Sequence, residues 1–136
     1  MLAGFCFIDA EILEDVFSML VCPDCRQASL MLSEEMRYGC ATFMNLSCYC
    51  YCGWENTFYS SRKTYPQGFD VNKRVVYAMW SCEEGYAGPE IFMTLINLPP
   101  PMVRKNYNKL VDTFLDAVKI VAEETMRTVL QNLKTK

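Results

Sequence analysis

The chain has 136 residues, a mass of 15.7 kDa, 51% hydrophobic and 21% charged residues, and a net charge of −3. That is one domain's worth of chain, or a small module with a helical extension, too apolar for wholesale disorder and not basic enough overall to mark a strong nucleic-acid binder. The sequence contains no histidine, which removes Ser-His-Asp and Cys-His nucleophile systems, HExxH metalloproteases and every His-containing zinc site.

The opening stretch MLAGFCFIDAEILEDVF has no basic start and meets acid by Asp9, so it does not read as a secretory signal. No apolar run reaches the roughly 18–20 residues that cross a bilayer. Asp9 instead reads as a helix cap, with Glu11 at the positive end of the dipole and Ile8 placed to staple onto Leu13. Apolar positions 12, 13, 16, 17 and 20 form one face of this helix, which stops before Cys22-Pro23.

Residues 22–60 change texture. Ser29–Ser33, Thr42–Ser47 and Thr57–Ser60 are β-prone runs separated by Gly39 and Gly53, as in a small three-stranded sheet. Its apolar residues are too few for a core of their own, so a staple is expected. Tyr49, Tyr51, Trp54, Phe58 and Tyr59 are expected to cover one face of that sheet.

A polar link, Ser61–Gly68, carries Pro66 and Gly68 as breakers. Asp70 is placed to cap a helix from Val71 to Cys82, with Val71, Val75, Val76 and Met79 inward. Gly85-Tyr86-Ala87-Gly88 is a turn, Pro89 opens a short helix to Leu98, and Pro99-Pro100-Pro101 ends it. From Val103 to the end the pattern is helical, stepping through Tyr107, Val111, Phe114, Val118 and Val121, then shifting to Met126, Val129, Leu130 and Leu133. At about 1.5 Å per residue this helix outruns a compact globule of the same chain, roughly 35–40 Å across. It must bend, break or overhang, and its distal stripe is expected either to pair with a second copy, giving a homo-oligomer, or to fray. The whole reads as α+β: residues 1–61 an N-terminal helix with a small β zinc ribbon, residues 62–136 a helical segment with a long C-terminal helix.

Eight cysteines stand at 6, 22, 25, 40, 48, 50, 52 and 82. In a reducing compartment such usage points to metal ligation or burial, not to a disulfide scaffold. Cys22-Pro23-Asp24-Cys25 is an intact CxxC turn, and Cys48-Tyr49-Cys50-Tyr51-Cys52-Gly53 follows it. Two cysteine-bearing turns on adjacent hairpins supply four tetrahedral ligands for a structural zinc ion. The residue three before Cys52 is Tyr49, so the fourth ligand is either Cys48 or Cys50. Cys6, Cys40 and Cys82 are isolated in apolar surroundings and are expected in the core.

Charge is uneven along the chain. Residues 1–61 hold eight acids and two bases, and residues 62–136 hold eight acids and eleven bases. Lys73, Arg74, Arg104 and Lys105 are the candidates for phosphate contact, with a solvated surface as the plain alternative.

The run Phe69-Asp70-Val71-Asn72-Lys73-Arg74-Val75-Val76-Tyr77-Ala78-Met79, then Gly85-Tyr86-Ala87-Gly88, Phe92, Leu98-Pro99-Pro100-Pro101-Met102 and Tyr107, resembles the non-catalytic N-terminal part of eukaryotic Mutator-like transposases. Upstream, Phe7-Ile8-Asp9, Ile12-Leu13, the CxxC turn, Gly39, and Cys52-Gly53-Trp54-Glu55 through Tyr59-Ser60 resemble the same family's zinc-ribbon segment. The resemblance implies a nuclear, zinc-binding and DNA-associated piece of a cut-and-paste transposase, with no membrane and no small-molecule substrate. The family's chemistry belongs to Asp/Asp/Glu carboxylates in a separate RNase H-like domain, and no acidic residue here matches a catalytic position. The chain is therefore expected not to be an enzyme. The alternative from another class is a protein-interaction adaptor that pairs through its C-terminal helix and leaves DNA alone.

Overall fold

The computed structural model describes residues 7–50, 52–64 and 68–134; Cys6, Tyr51 and Pro66 lie outside them. Four helices and one three-stranded antiparallel sheet make an α+β fold, as expected: α1 (Ala10–Ser18), β1 (Leu30–Tyr38), β2 (Ala41–Cys48), β3 (Glu55–Tyr59), α2 (Asp70–Ser81), α3 (Ala87–Leu95) and α4 (Arg104–Lys134). The chain forms two compact units, Met1–Asn72 and Lys73–Lys136.

In the first unit Asp9 caps α1, its carboxylate accepting the Glu11 N–H at 2.9 Å. The apolar face of α1 is narrower than its periodicity suggests. Leu13 and Phe17 are half-buried, whereas Ile12, Val16 and Leu20 stay exposed. A three-stranded sheet offers one short helix little more than a single row of contacts. Phe17 fills that row, its ring 6.1 Å from Phe58.

The sheet runs in the order β1-β2-β3. Leu30 pairs with Cys48 and Leu32 with Leu46, and Met44 pairs with Phe58. Directly opposed residues share a face, so these side chains line one side of the sheet. There Cys22, Leu30 and Leu46 are buried, with Phe17, Cys25, Leu32, Cys48, Trp54 and Phe58 packed around them.

A bulge between Glu34 and Met36 shifts the register of β1. The extra residue turns Met36 and Tyr38 onto the opposite face. Tyr38 and Tyr59 there approach Phe69 at 5.5 and 5.1 Å, and Phe43 lies 4.9 Å from Tyr59. The expected single aromatic face is thus corrected: Phe58 and Tyr59 are neighbours on one strand and point to opposite sides, and Tyr49 is exposed. Gly39 closes the β1–β2 turn at φ +65°, a conformation most side chains resist.

The first turn of α2 is tied to this hairpin by one buried side chain. Asn72 accepts the Cys40 N–H at 2.8 Å and donates to the Tyr38 carbonyl at 2.6 Å. The Val71 N–H, left without a partner inside its own helix, donates to the Ser61 hydroxyl at 3.1 Å.

The second unit is helical. Tyr77 meets Phe114 edge-on at 5.5 Å, and Tyr86 meets Tyr107 edge-on at 5.4 Å. Tyr107 is buried and donates from its hydroxyl to the Glu84 carbonyl. Pro89 and Met93 of α3 and Val76 of α2 are buried as well. The long helix is unbroken over 31 residues.

Asn72→Ala removes the partner of two polar groups of the β1–β2 hairpin at once. Each such loss costs about 1–3 kcal/mol, so urea unfolding of the variant should show a clearly lower midpoint with an unchanged slope. A midpoint equal to that of the parent would show that Asn72 does not tie α2 to the sheet.

Candidate metal centre

Two turns present five cysteines to one end of the sheet. The first follows the Val21–Ala28 bridge, where the Cys22 N–H donates to the Gln27 carbonyl and the Arg26 N–H donates to the Cys22 carbonyl, both at 2.9 Å. Arg26 completes this turn at φ +58°. The second begins as β2 ends. The Cys48 N–H donates to the Trp54 carbonyl at 2.9 Å and the Tyr49 N–H to the Ser29 carbonyl at 2.8 Å, so β1 and the approach to β3 clamp the turn from both sides. Gly53 follows the last cysteine at φ +79°; a Cβ there would meet no neighbour, so the glycine answers to backbone geometry and not to crowding.

The sulfurs of Cys22, Cys25, Cys48 and Cys52 all lie within 4.8 Å of one another. Cys22 and Cys52 are 3.6 Å apart, as are Cys25 and Cys48. Zinc–sulfur bonds of about 2.3 Å at tetrahedral angles place ligand sulfurs roughly 3.8 Å apart, so the quartet fits a zinc ion. Thiolates are soft donors, which suits zinc and disfavours magnesium or calcium. Cys50 behaves differently. Its sulfur sits 2.8 Å from both Cys25 and Cys48, closer than two ligands of one tetrahedron stand.

The thiols are electrostatically uneven. Partial burial works against ionising Cys48, but hydrogen bonds from the Cys50 thiol, the Ser29 hydroxyl, the Cys50 N–H and Cys52 outweigh it and bring its pKa down to about 6. At Cys52 the Trp54 backbone favours the thiolate, yet burial and the neighbouring Cys48, Cys50 and Cys22 push the thiol well above its ordinary range. Clustered thiols cannot all hold negative charge without a cation to neutralise them, and a bound metal displaces their protons.

Ser29 escaped sequence reasoning. Its hydroxyl lies 3.2 Å from the Cys48 sulfur, a proximity created by pairing β1 against β2 and carrying no spacing signal of its own. The expectation that the isolated cysteines are core residues needs correction. Cys40 is half-buried and Cys82 is exposed at the end of α2.

The four candidate phosphate-binding bases sit on two helices. Lys73 and Arg74 lie in α2, and Arg104 and Lys105 open α4, where Arg104 stacks 5.2 Å from the Tyr86 ring centre. Glu34 bonds to Arg37 and Glu35 accepts from Ser33. Among the described residues, the cysteine quartet is the one group of three or more such ligands close enough to share a metal ion. Among the same residues, no helix is long and apolar enough to cross a membrane.

The family model described as Mutator-like transposase matches residues 4–135. No curated protein matches the chain. No solved structure matches it either.

Cys40 and Cys82, the isolated cysteines among the described residues, should separate in reactivity. Burial disfavours the Cys40 thiolate and lifts its pKa to about 11; the thiolate is the reacting form. At pH 8 iodoacetamide should therefore label the exposed Cys82 and spare Cys40, with Cys40 labelling rising as pH approaches 11. Because the folded value stands above that of an unfolded thiol, Cys40 should also cost the fold stability as pH climbs through that interval. Equal labelling of both at pH 8, read by peptide mass spectrometry, would contradict this.

Proposed function

The chain belongs to the Mutator-like transposase family, and on that premise we propose that it is a non-catalytic, zinc-stabilised module of a nuclear DNA transposase that contributes to DNA binding or assembly. The observation that carries the reading is the sulfur quartet, whose spacing suits a tetrahedral ion in a unit with a small apolar core.

Zinc acts structurally here. Cys22, Cys25, Cys48 and Cys52 would hold it, and four thiolates leave no open position for a substrate. The close approach of Cys50 to Cys25 and Cys48 favours Cys48 as the fourth ligand. The Ser29 hydroxyl, 3.2 Å from the Cys48 sulfur, would donate to a Cys48 thiolate and orient it, the service that groups outside a metal's ligand set perform in such sites. Zinc, when bound, supplies a charge that neutralises the thiolates and ties the two turns together.

The non-catalytic part of the reading rests on the resemblance. Two-metal strand chemistry needs converging acids, and in the resemblance those are Asp/Asp/Glu carboxylates of a separate domain that no acidic residue here matches. Contact with DNA would fall to Lys73, Arg74, Arg104 and Lys105, through phosphates. A second reading, an adaptor that binds protein and not DNA, is favoured by the exposed apolar residues along α4.

Native mass spectrometry should find one zinc ion per chain. Cys22→Ser should abolish it and unfold the first unit, and Cys48→Ser should lose it where Cys50→Ser keeps it. Retention in Cys48→Ser with loss in Cys50→Ser would reverse the ligand assignment. Apo-protein alone after expression with added zinc would refute the metal site. Binding of random duplex should fall steeply between low and moderate salt and weaken in Arg104→Ala/Lys105→Ala; no binding at low salt would favour the adaptor.

A further inference from the structure

Most of the length of α4 carries an apolar face whose spacing has a symmetry of its own. At about 100° per residue, Val111, Leu115, Val118, Ala122, Met126, Val129 and Leu133 fall in one stripe along the helix. Leu115, Val118, Met126, Val129 and Leu133 are each between 47% and 67% exposed, and Val111 at the near end is half-buried beside Trp80. The steps along the stripe are four, three, four, four, three, four, the same read in either direction about Ala122. The recurrence of Val111, Ala122 and Leu133 every eleven residues keeps the stripe close to straight on an α-helix.

We propose that this face pairs with a second copy of the chain, the two α4 helices running antiparallel about a two-fold axis at Ala122. In that register Leu115 meets Val129, Val118 meets Met126, and Val111 meets Leu133. Ala122 meets its own copy. The centre of the stripe is thus its smallest residue, which lets the helices approach where they cross, and every larger residue has an apolar counterpart. An isologous contact requires this self-complementarity, and a stripe serving an unrelated partner has no reason to be palindromic.

Charge agrees with the register. Lys119 and Glu123 are exposed and border the same edge of the stripe, one turn apart. Antiparallel helices bring like edges together, so Lys119 of each copy faces Glu123 of the other, twice per dimer. The paired stretch is about 33 Å long, roughly six turns on each copy. The inference is independent of the proposed function, since neither zinc nor DNA enters it.

Sedimentation equilibrium of the whole chain tests it. The parent should dimerise at tens of micromolar. Ala122→Leu, which thickens the crossing, should weaken the dimer. Lys119→Glu and Glu123→Lys, each turning two attractions into repulsions, should each weaken self-association by about tenfold. An equimolar mixture of those two should associate at least as tightly as the parent, because every facing pair is again opposite in sign. Circular dichroism should show unchanged helix content in these surface variants. A monomeric parent at the same concentration would overturn the proposal, whether another protein or a further segment of chain covers the face. A dimeric parent whose mixed variants gain nothing would overturn the antiparallel register.

Discussion

The convergence of two cysteine-bearing turns at one end of a three-stranded sheet is the constraint on which the first unit depends. Its buried apolar set on that side is Cys22, Leu30 and Leu46, with a ring of half-buried neighbours. A core of that size contributes a few kcal/mol at best. Structural zinc in small modules contributes roughly 10–16 kcal/mol of apparent binding energy at neutral pH, and that energy is folding energy where the site does not exist in the unfolded chain. A metal bound by these thiols would outweigh the apolar core by that comparison, and Cys22 belongs to both: it is fully buried and is also one of the clustered thiols.

The two sides of the sheet then have different work. One carries the sulfurs, Leu30, Leu32 and Leu46, and receives Phe17 of α1. The other carries Tyr38, Phe43 and Tyr59, which close on Phe69, with the Lys63 ammonium 4.2 Å above the Tyr59 ring centre. The bulge in β1 separates these roles, because without it Tyr38 would point toward the sulfur side. Asn72 fastens the start of α2 to the same hairpin, so the tight turn at Gly39 is held from beneath by a side chain and not only by its own ladder.

Much of this was legible in the residues. Capping by Asp9, three strands broken at Gly39 and Gly53, helices opening near Asp70 and Pro89, and a long last helix all follow from local rules. The CxxC turn and the crowded second turn announced a thiolate site. Spacing left Cys48 and Cys50 as equals; the sulfur distances that distinguish them arise from strand register. The aromatic faces were misjudged because a single bulged residue reverses the alternation of a strand, and no propensity marks Glu34–Met36 as a bulge. Cys82 was misjudged because an apolar pattern says which helix face is inward only while something packs on it, and α2 ends there. The breadth of the α1 face failed for the same reason.

The central claim is that zinc folds the first unit. Its most direct test is a zinc titration of the metal-stripped chain under reducing conditions, followed by the fluorescence of Trp54, which packs against the buried cluster of Cys22, Leu30 and Leu46, in a Trp80→Phe background. The account predicts a transition that saturates at one equivalent of zinc and coincides with the appearance of sheet signal in circular dichroism. A metal-free chain that already shows full sheet signal, and whose thermal unfolding does not move when zinc is added, would contradict it.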